Sequence, residues 1–202
     1  MTITYQIKNS IYVNLTNRCP CACTFCLRQK GAGVYGSGSL WLEREPSADE
    51  VIAALDACDL TRFREVVFCG YGEPTESLEV LLAAAEHLKS RDGSLRVRVN
   101  TNGLSDLINA RPTAALFADK VDCLSISLNT DDPEEYLALC RPKFGKAAYP
   151  AMLDFAREAA ACVPEVVMSV VGEPVTSLEK QRRCRAIAES LGAGLRVRPY
   201  EE

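Results

Sequence analysis

Four cysteines lie within eight consecutive residues, in the segment Cys19-Pro-Cys-Ala-Cys-Thr-Phe-Cys26. Three of them, Cys19, Cys23 and Cys26, have the spacing C-x3-C-x2-C. Thiolates are the usual protein ligands of iron–sulfur clusters, and three thiolates on one tight loop can hold three irons of a cubane. The fourth iron then has no protein ligand, and an open metal position is where chemistry can occur. The segment therefore predicts a [4Fe–4S] cluster held by these three cysteines.

A structural zinc site is the main alternative for this segment, with Cys21 as the fourth ligand. Only one residue separates Cys21 from Cys19 on one side and from Cys23 on the other. Compact zinc sites instead use cysteine pairs separated by about two to four residues. Alternate residues of a tight loop point apart, so we expect Cys21 not to be a ligand. Uncoordinated thiols are the third interpretation.

The bulk composition is that of an ordinary globular protein. The chain has 202 residues, 48 % hydrophobic and 25 % charged, a length that suits one domain over residues 1–202. Its formal net charge of -4 argues against a general nucleic-acid binder held by phosphate neutralisation, although a local basic patch stays open. Ten cysteines without an apolar signal segment predict a reducing cytoplasm. No apolar run is long enough for a membrane span, so no membrane partner is expected.

Short apolar runs alternate with helical patterns along the chain. This alternation predicts an α/β fold with parallel strands and right-handed helical crossovers, closed either as a doubly wound sheet or as part of a TIM-like barrel. In both architectures ligands bind at the carboxyl ends of the strands. The predicted strands are 11–15, 65–69, 95–100, 121–128, 166–171 and 195–198, and the predicted helices are 47–58, 77–90, 147–161 and 177–191.

Polar motifs follow several predicted strands at the point where each strand ends. They are Gly70-Tyr-Gly-Glu-Pro74, Thr101-Asn-Gly103 and Ser125-Ile-Ser-Leu-Asn129. Carboxyl ends of parallel strands share one rim, so these motifs are expected to meet at an active site. The plainer alternatives are a strand-to-helix turn with Glu73 near a helix N-terminus, a turn that needs positive φ at Gly103, and ordinary polar residues at a strand end.

Together these motifs resemble the radical SAM superfamily. The cysteine spacing after a first strand, with Phe25 directly before the last cysteine, is similar to that family's signature. The resemblance implies that the amino and carboxylate groups of S-adenosylmethionine chelate the open iron. It also implies that an electron from the cluster cleaves this cofactor to methionine and a 5′-deoxyadenosyl radical, which abstracts a hydrogen atom from a substrate.

The same resemblance implies which residues contact S-adenosylmethionine. The segment from Gly70 to Glu73 resembles the family's Gly-Gly-Glu motif. Gly70 and Gly72 would let backbone carbonyls approach the methionine ammonium, and Glu73 would offer a carboxylate near it. Further contacts are implied for Asn102 in the third-strand motif, Ser127 and Asn129 in the ribose-contacting segment, and the backbone of Arg198 near adenine.

The family resemblance also implies an overall architecture and partners. We expect a compact single core domain folded as a partial (β/α)6 TIM-like barrel, reduced by a flavodoxin or a ferredoxin. The runs 11–19 and 69–75 look nearest to the branch associated with TatD-like metal-dependent nucleases. The substrate can be a small molecule, a protein or RNA. Alternatives are a glycyl-radical-type activase acting on a partner protein, and a non-enzymatic iron–sulfur or zinc binding protein.

The sequence does not assign a role to two other segments, the one around Cys140 and residues 31–38. Cys140 precedes a predicted loop, where it could face the active site as a thiol hydrogen donor or be buried. Residues 31–38 are rich in glycine but lack the Gly-Lys-Ser/Thr of a phosphate loop. We expect them to form a mobile loop beside the cluster.

Arginines alternate with apolar residues on two predicted strands. Arg96 and Arg98 flank Val97, and Arg196 and Arg198 flank Val197. In a closed barrel these arginines would need acidic partners. In an open barrel they could line the interior and meet a carboxylate or phosphate of a substrate. The alternative is a pair of solvated strand edges with extended aliphatic stems.

Overall fold

Seven strands form one sheet in which neighbours in space are also neighbours in sequence. A computed structural model describes residues 1–29, 31–34 and 36–200. Tyr35, in the loop expected over 31–38, lies outside the described residues. No helix in the described ranges is long and apolar enough to cross a membrane. The strands are β1 (Thr4–Ile7), β2 (Ser10–Val13), β3 (Glu65–Phe68), β4 (Arg96–Thr101), β5 (Cys123–Ser127), β6 (Glu165–Val171) and β7 (Gly194–Arg198), and the α-helices are α1 (Ala48–Asp56), α2 (Leu78–Arg91), α3 (Ser105–Asn109), α4 (Pro133–Cys140), α5 (Ala148–Ala160) and α6 (Leu178–Ser190).

The strands from β2 to β7 run parallel, each hydrogen-bonded to the next. β1 pairs antiparallel with β2. Within the described residues no pairing joins β7 back to β1, so the barrel is open. The predicted α/β class and partial (β/α)6 TIM-like barrel are confirmed, with an added antiparallel edge strand. The sequence pattern missed β1 because its residues Thr4–Ile7 contain no continuous apolar run, unlike β2 and β3 of the same length.

The helices begin where the sequence supplies N-terminal caps. Ser47 Oγ accepts a hydrogen bond from Glu50 N at 3.2 Å, and Ser47 N donates to the Glu50 carboxylate at 2.9 Å, which forms the predicted capping box of α1. α4 was not predicted. It begins after Asp132, whose carboxylate accepts from Glu135 N at 2.8 Å, and it ends at Arg141 in the left-handed region with φ 45°. This helix matters because its carboxyl end meets the cysteine loop.

The two faces of the sheet differ in chemistry. On the outer face, alternate strand residues pack against the helices in one apolar core, and its central members are Val66, Phe68, Val97, Val99, Leu124, Ile126, Met168 and Val170. The residues between them point to the opposite side, which we call the concave face. It carries Tyr12, Glu65, Arg96, Arg98, Asn100, Ser125, Ser127, Ser169, Arg196 and Arg198.

Two surface cavities, of about 500 and 480 Å³, lie around the amino-terminal ends of the strands. Four of their five charged residues, Lys89, Asp122, Arg96 and Glu165, have protein partners. Lys89 Nζ donates to Asp122 at 2.9 Å and to the carbonyl of Leu95 at 3.1 Å. Ligands of parallel α/β sheets bind at the opposite, carboxyl ends of the strands. We therefore place the candidate site at the carboxyl rim and assign no function to these cavities.

A buried ion pair crosses the concave face between β3 and β4. Arg98 Nη2 lies 2.6 Å from Glu65 Oε1, and Arg98 Nε lies 3.0 Å from Glu65 Oε2. Only 10 % and 17 % of the two side chains are exposed. Burial alone would raise the pKa of Glu65, but the hydrogen bonds and charge of Arg98 outweigh it, and the pKa is lowered. Arg98 therefore has a buried acidic partner, whereas Arg96 forms a more exposed pair with Glu165.

We expect the substitution Glu65→Gln to lower the free energy of unfolding by about 3 kcal/mol, because it leaves Arg98 buried without a countercharge. The exposed pair Arg111–Glu79 provides the control, and Glu79→Gln should cost less than about 1 kcal/mol. Urea denaturation measures both. Since the pKa of Glu65 is lowered on folding, its contribution is present above the unfolded pKa and disappears as the pH falls through the folded one. A wild-type advantage that grew on acidification would contradict this account.

Candidate active site

The cysteine loop follows β2 and is hydrogen-bonded to the carboxyl end of α4. Ala22 N donates to Cys140 O at 3.0 Å, and Thr24 N donates to Leu139 O at 2.9 Å. Lys143 N donates back to Pro20 O at 2.8 Å. These bonds give the loop a short strand-like pairing with residues 139–143, far away in sequence. An element that the sequence pattern missed therefore fixes the loop that carries the predicted ligands.

The three predicted ligands lie on this loop as free, partly exposed thiols, whereas Cys21 is buried. Asn102 Nδ2 lies 3.9 Å from the Cys21 sulfur. Among the described residues, no three His, Cys, Asp or Glu side chains converge on one metal ion, as a zinc site requires. The thiolates of a cubane each bind a different iron, so they need not converge. The arrangement accordingly gives no support to the zinc alternative.

The loop thiols divide into proton donors and acceptors. A hydrogen bond from Cys140, followed by one from Cys21, lowers the pKa of Cys23. A hydrogen bond from Cys21 likewise lowers the pKa of Cys19. Burial raises the pKa of Cys26. Because the thiolate is the metal-binding form, the lowered pKa values favour ligand character at Cys19 and Cys23.

Cys140 is buried beneath the loop and does not face open solvent, with 1 % of its surface exposed. Asn129 Nδ2 donates to its sulfur at 3.2 Å. Asn129 has φ 65°, and its backbone N donates to Ser169 O at 3.1 Å. Its Oδ1 is buried without a hydrogen-bond partner in the described part of the chain. Cys140 thus contacts Asn129, in the predicted ribose-contacting segment after β5, and also influences the sulfur of Cys23.

Two glycines allow the motif after β3 to lie directly against the chain that leads into the cysteine loop. A Cβ on Gly70 would lie 2.0 Å from Asn14 Oδ1, and one on Gly72 would lie 2.3 Å from Thr16 O. These glycines therefore allow close contact with the protein's own chain, and the approach of their backbone to a methionine ammonium stays a prediction. Asn14, which the sequence analysis did not single out, is fully buried, and its Oδ1 has no partner among the described residues. Its only signal in the sequence is an amide among apolar strand residues.

Glu73 is buried and joins the ends of β3 and β4. One carboxylate oxygen accepts from Thr75 N at 3.2 Å, Thr75 Oγ1 at 2.9 Å and Thr101 Oγ1 at 2.7 Å. The other accepts from Asn102 N at 2.7 Å. Burial raises the pKa of Glu73, and these hydrogen bonds oppose the rise. Its contact with an ammonium group remains a prediction, and its present partners give it a positioning role at the rim.

The other predicted contact residues also lie near the carboxyl ends of the strands. Ser127 ends β5 and is paired in register with Ser169. The carbonyl of Arg198, at the end of β7, accepts from Gly172 N at 2.8 Å. Gly103 has the predicted positive φ, 77°. Phe25 lies partly exposed in the cysteine loop, and Asn102 Oδ1 accepts from Leu104 N at 2.9 Å.

These groups fit the cofactor pair that the motifs imply. Cys19, Cys23 and Cys26 provide three thiols with no disulfide among them. The buried Oδ1 atoms of Asn14 and Asn129 are acceptors without partners, placed after the ends of β2 and β5. Buried acceptors are costly unless a donor satisfies them. A ligand with ammonium and hydroxyl donors, such as S-adenosylmethionine, supplies such donors.

Comparisons with known proteins agree with this site. Residues 13–182 match the radical SAM superfamily. GTP 3',8-cyclase of Corynebacterium glutamicum (strain R) is 32% identical over 142 residues, covering 67% of this chain and 35% of the relative. The dual-specificity RNA methyltransferase RlmN of Sulfurimonas denitrificans is 31% identical over 117 residues, covering 53% and 30%. The chain thus spans about a third of the length of these curated relatives. A radical SAM methyltransferase from Sphaerobacter thermophilus shares the fold, with TM-score 0.67 and 18% identity over 97% of this chain and 57% of that one.

We expect Gly72→Ala to destabilise the rim, because its Cβ would press on the backbone carbonyls of Thr16 and Arg18 at 2.3 and 2.6 Å. Overpacking of this kind costs about 1–3 kcal/mol. Gly194→Ala is the matched control, since nothing lies within 4 Å of its added Cβ. Urea denaturation gives the stability, and iron bound after anaerobic reconstitution reports on the adjacent loop. Equal behaviour of the two variants would refute the close approach.

Proposed function

Since the chain belongs to the radical SAM superfamily, we propose that it is a radical SAM enzyme that acts on a substrate by hydrogen abstraction. Superfamily members use a [4Fe–4S] cluster and S-adenosylmethionine, which together supply the 5′-deoxyadenosyl radical. The observation that carries the proposal is the loop with Cys19, Cys23 and Cys26, clamped by backbone hydrogen bonds beside a glycine-lined rim.

In this proposal Cys19, Cys23 and Cys26 hold the cluster, and Cys21 and Cys140 support it without binding iron. Cys21 lowers the pKa of Cys19, and Cys140 together with Cys21 lowers the pKa of Cys23. Donors to ligand sulfurs stabilise negative charge on them and so influence the reduction potential of a cluster. Cys140 is therefore assigned as a positioning residue.

The rim would hold S-adenosylmethionine through groups from several strand ends. Gly70 and Gly72 keep the backbone after β3 free of side chains, and Asn14 and Asn129 present unpartnered buried oxygens. Glu73 orients the rim through its four protein donors. The remaining proposed contacts are those of Phe25, Asn102, Ser127 and the backbone of Arg198.

The substrate and partners are part of the proposal. The names of the two curated relatives refer to GTP and to RNA, which are both phosphate-bearing substrates. By analogy, we propose that the substrate of this chain also has an anionic group. A flavodoxin or ferredoxin is the proposed reductant. A reducing cytoplasm is the proposed location, because it keeps the loop thiols available for iron.

We expect anaerobically reconstituted protein to bind about four irons per chain and, after reduction with dithionite, to release 5′-deoxyadenosine from S-adenosylmethionine. Cys23→Ala should abolish both, whereas Cys58→Ala, at the end of α1, should retain them. Iron analysis and mass spectrometry provide the measurements. A Cys23→Ala variant that kept a full cubane and cleaved the cofactor would refute the ligand assignment. A colourless zinc protein would indicate a binding module, and a brown protein without 5′-deoxyadenosine would indicate an electron carrier.

Cys140→Ala should make the cluster harder to reduce, because it removes the thiol that favours negative charge on the Cys23 sulfur. We expect the ratio of reduced to oxidised cluster at a fixed potential to fall by up to about tenfold, which is about 59 mV for one electron. Cys140→Ser retains a donor and should shift the potential less. A redox titration followed by EPR measures this, with Cys58→Ala as the control. Identical potentials for Cys140→Ala and Cys58→Ala would exclude the proposed role.

A further inference from the structure

The concave face carries an excess of positive charge in a chain whose formal net charge is -4. Four arginines lie on it, Arg96, Arg98, Arg196 and Arg198, against two glutamates, Glu65 and Glu165. Both glutamates form ion pairs with arginines of β4: Glu65 pairs with Arg98, and Glu165 pairs with Arg96. Neither glutamate forms an ion pair with Arg196.

Arg196 is an accessible cation on this face. Its side chain is exposed, and Nη2 donates to Ser125 Oγ at 2.9 Å. Among the described residues no carboxylate forms an ion pair with Arg196. Ser125 lies on β5, so the guanidinium reaches across β6 over the concave surface. One hydrogen bond to a buried hydroxyl fixes its direction and leaves most of its donors available.

The position of Arg196 is just below the rim that holds the proposed cofactor contacts. The strand register places Arg196 beside Ser169, and Ser169 beside Ser127. Asn129 is two residues beyond Ser127, which is about 7 Å along an extended strand. An anionic group held at Arg196 would therefore direct the rest of a molecule toward the rim.

Arg98 of β4 lies on the same face, where its charge is paired with Glu65. An accessible cation on a concave surface concentrates oppositely charged ligands.

We propose that the concave face binds an anionic group of the substrate, a phosphate or a carboxylate, with Arg196 as its principal cation and the hydroxyls of Ser125 and Ser169 as neighbouring donors. The planar guanidinium matches both oxyanions through paired hydrogen bonds. That the ligand is a substrate rests on the proposed function, but the binding itself does not depend on turnover.

The test uses reconstituted protein with S-adenosylmethionine and two probes, inorganic pyrophosphate for the phosphate source and citrate for the carboxylate source. Isothermal titration calorimetry at constant ionic strength gives the affinities. At least one probe should bind the wild type, and Arg196→Gln should weaken it by about tenfold or more, the loss expected for charged hydrogen bonds. Arg196→Lys should recover part of the affinity, because it keeps the charge without the planar fork.

Arg185→Gln, on the exposed part of α6, is the matched control and should leave the affinity unchanged. Probes that fail to bind the wild type, or equal losses in both variants, would overturn the inference. So would a loss of S-adenosylmethionine affinity in Arg196→Gln with unchanged probe binding, which would assign Arg196 to the cofactor. Wild-type release of 5′-deoxyadenosine, measured separately, reports on the proposed function, so the two failures can be told apart. A thermal melt of Arg196→Gln checks that the variant is folded.

Discussion

The buried carboxylate of Glu73 is the interaction on which the rim depends. Removing a carboxylate from water costs several kcal/mol, and close donors must offset that cost. Here the donors come from Thr75 on one side and from Thr101 and Asn102 on the other. The desolvation cost of the Glu73 carboxylate is therefore offset only when β3 and β4 end side by side, so that donors from both reach it. Glu73 N also donates to Arg18 O at 2.8 Å, which brings the chain entering the cysteine loop into the same unit.

The cysteine loop has a second anchor in α4. Backbone pairing with residues 139–143 fixes the loop from the other side, and it brings the thiol of Cys140 to Cys23. A thiol network has a physical advantage over apolar packing at this point. It places weak donors next to sulfurs that must carry negative charge as metal ligands, and so the same contacts position the loop and favour its thiolates.

Much of this could be predicted from the sequence because the signals are local. The Val- and Ile-rich runs indicated β2 to β7, the capping box at Ser47 indicated α1, and the motifs at strand ends indicated the rim. The missed helix α4 had a local signal too, the Asp132 cap followed by Pro133. The contacts of Cys140 with Cys23 and of Arg98 with Glu65 had no local signal in the sequence. They join residues far apart in sequence and depend on strand register. The radical SAM resemblance depended on motifs that are visible in the sequence, whereas the roles of these partners needed the fold.

The polarity of the concave face follows from the open barrel. A closed TIM barrel fills its interior with layers of branched apolar side chains, and buried charges there would each need a partner. This sheet keeps one such buried pair, Arg98 with Glu65 at the start of β3, and places an exposed arginine, Arg196, nearer the rim. Charge on the concave face is therefore paired far from the rim, at Arg98, and available near the proposed cofactor site, at Arg196. An interior of this kind is stable when water or a polar ligand occupies it, so the chemistry of the face itself argues for a substrate with an anionic group over an apolar one.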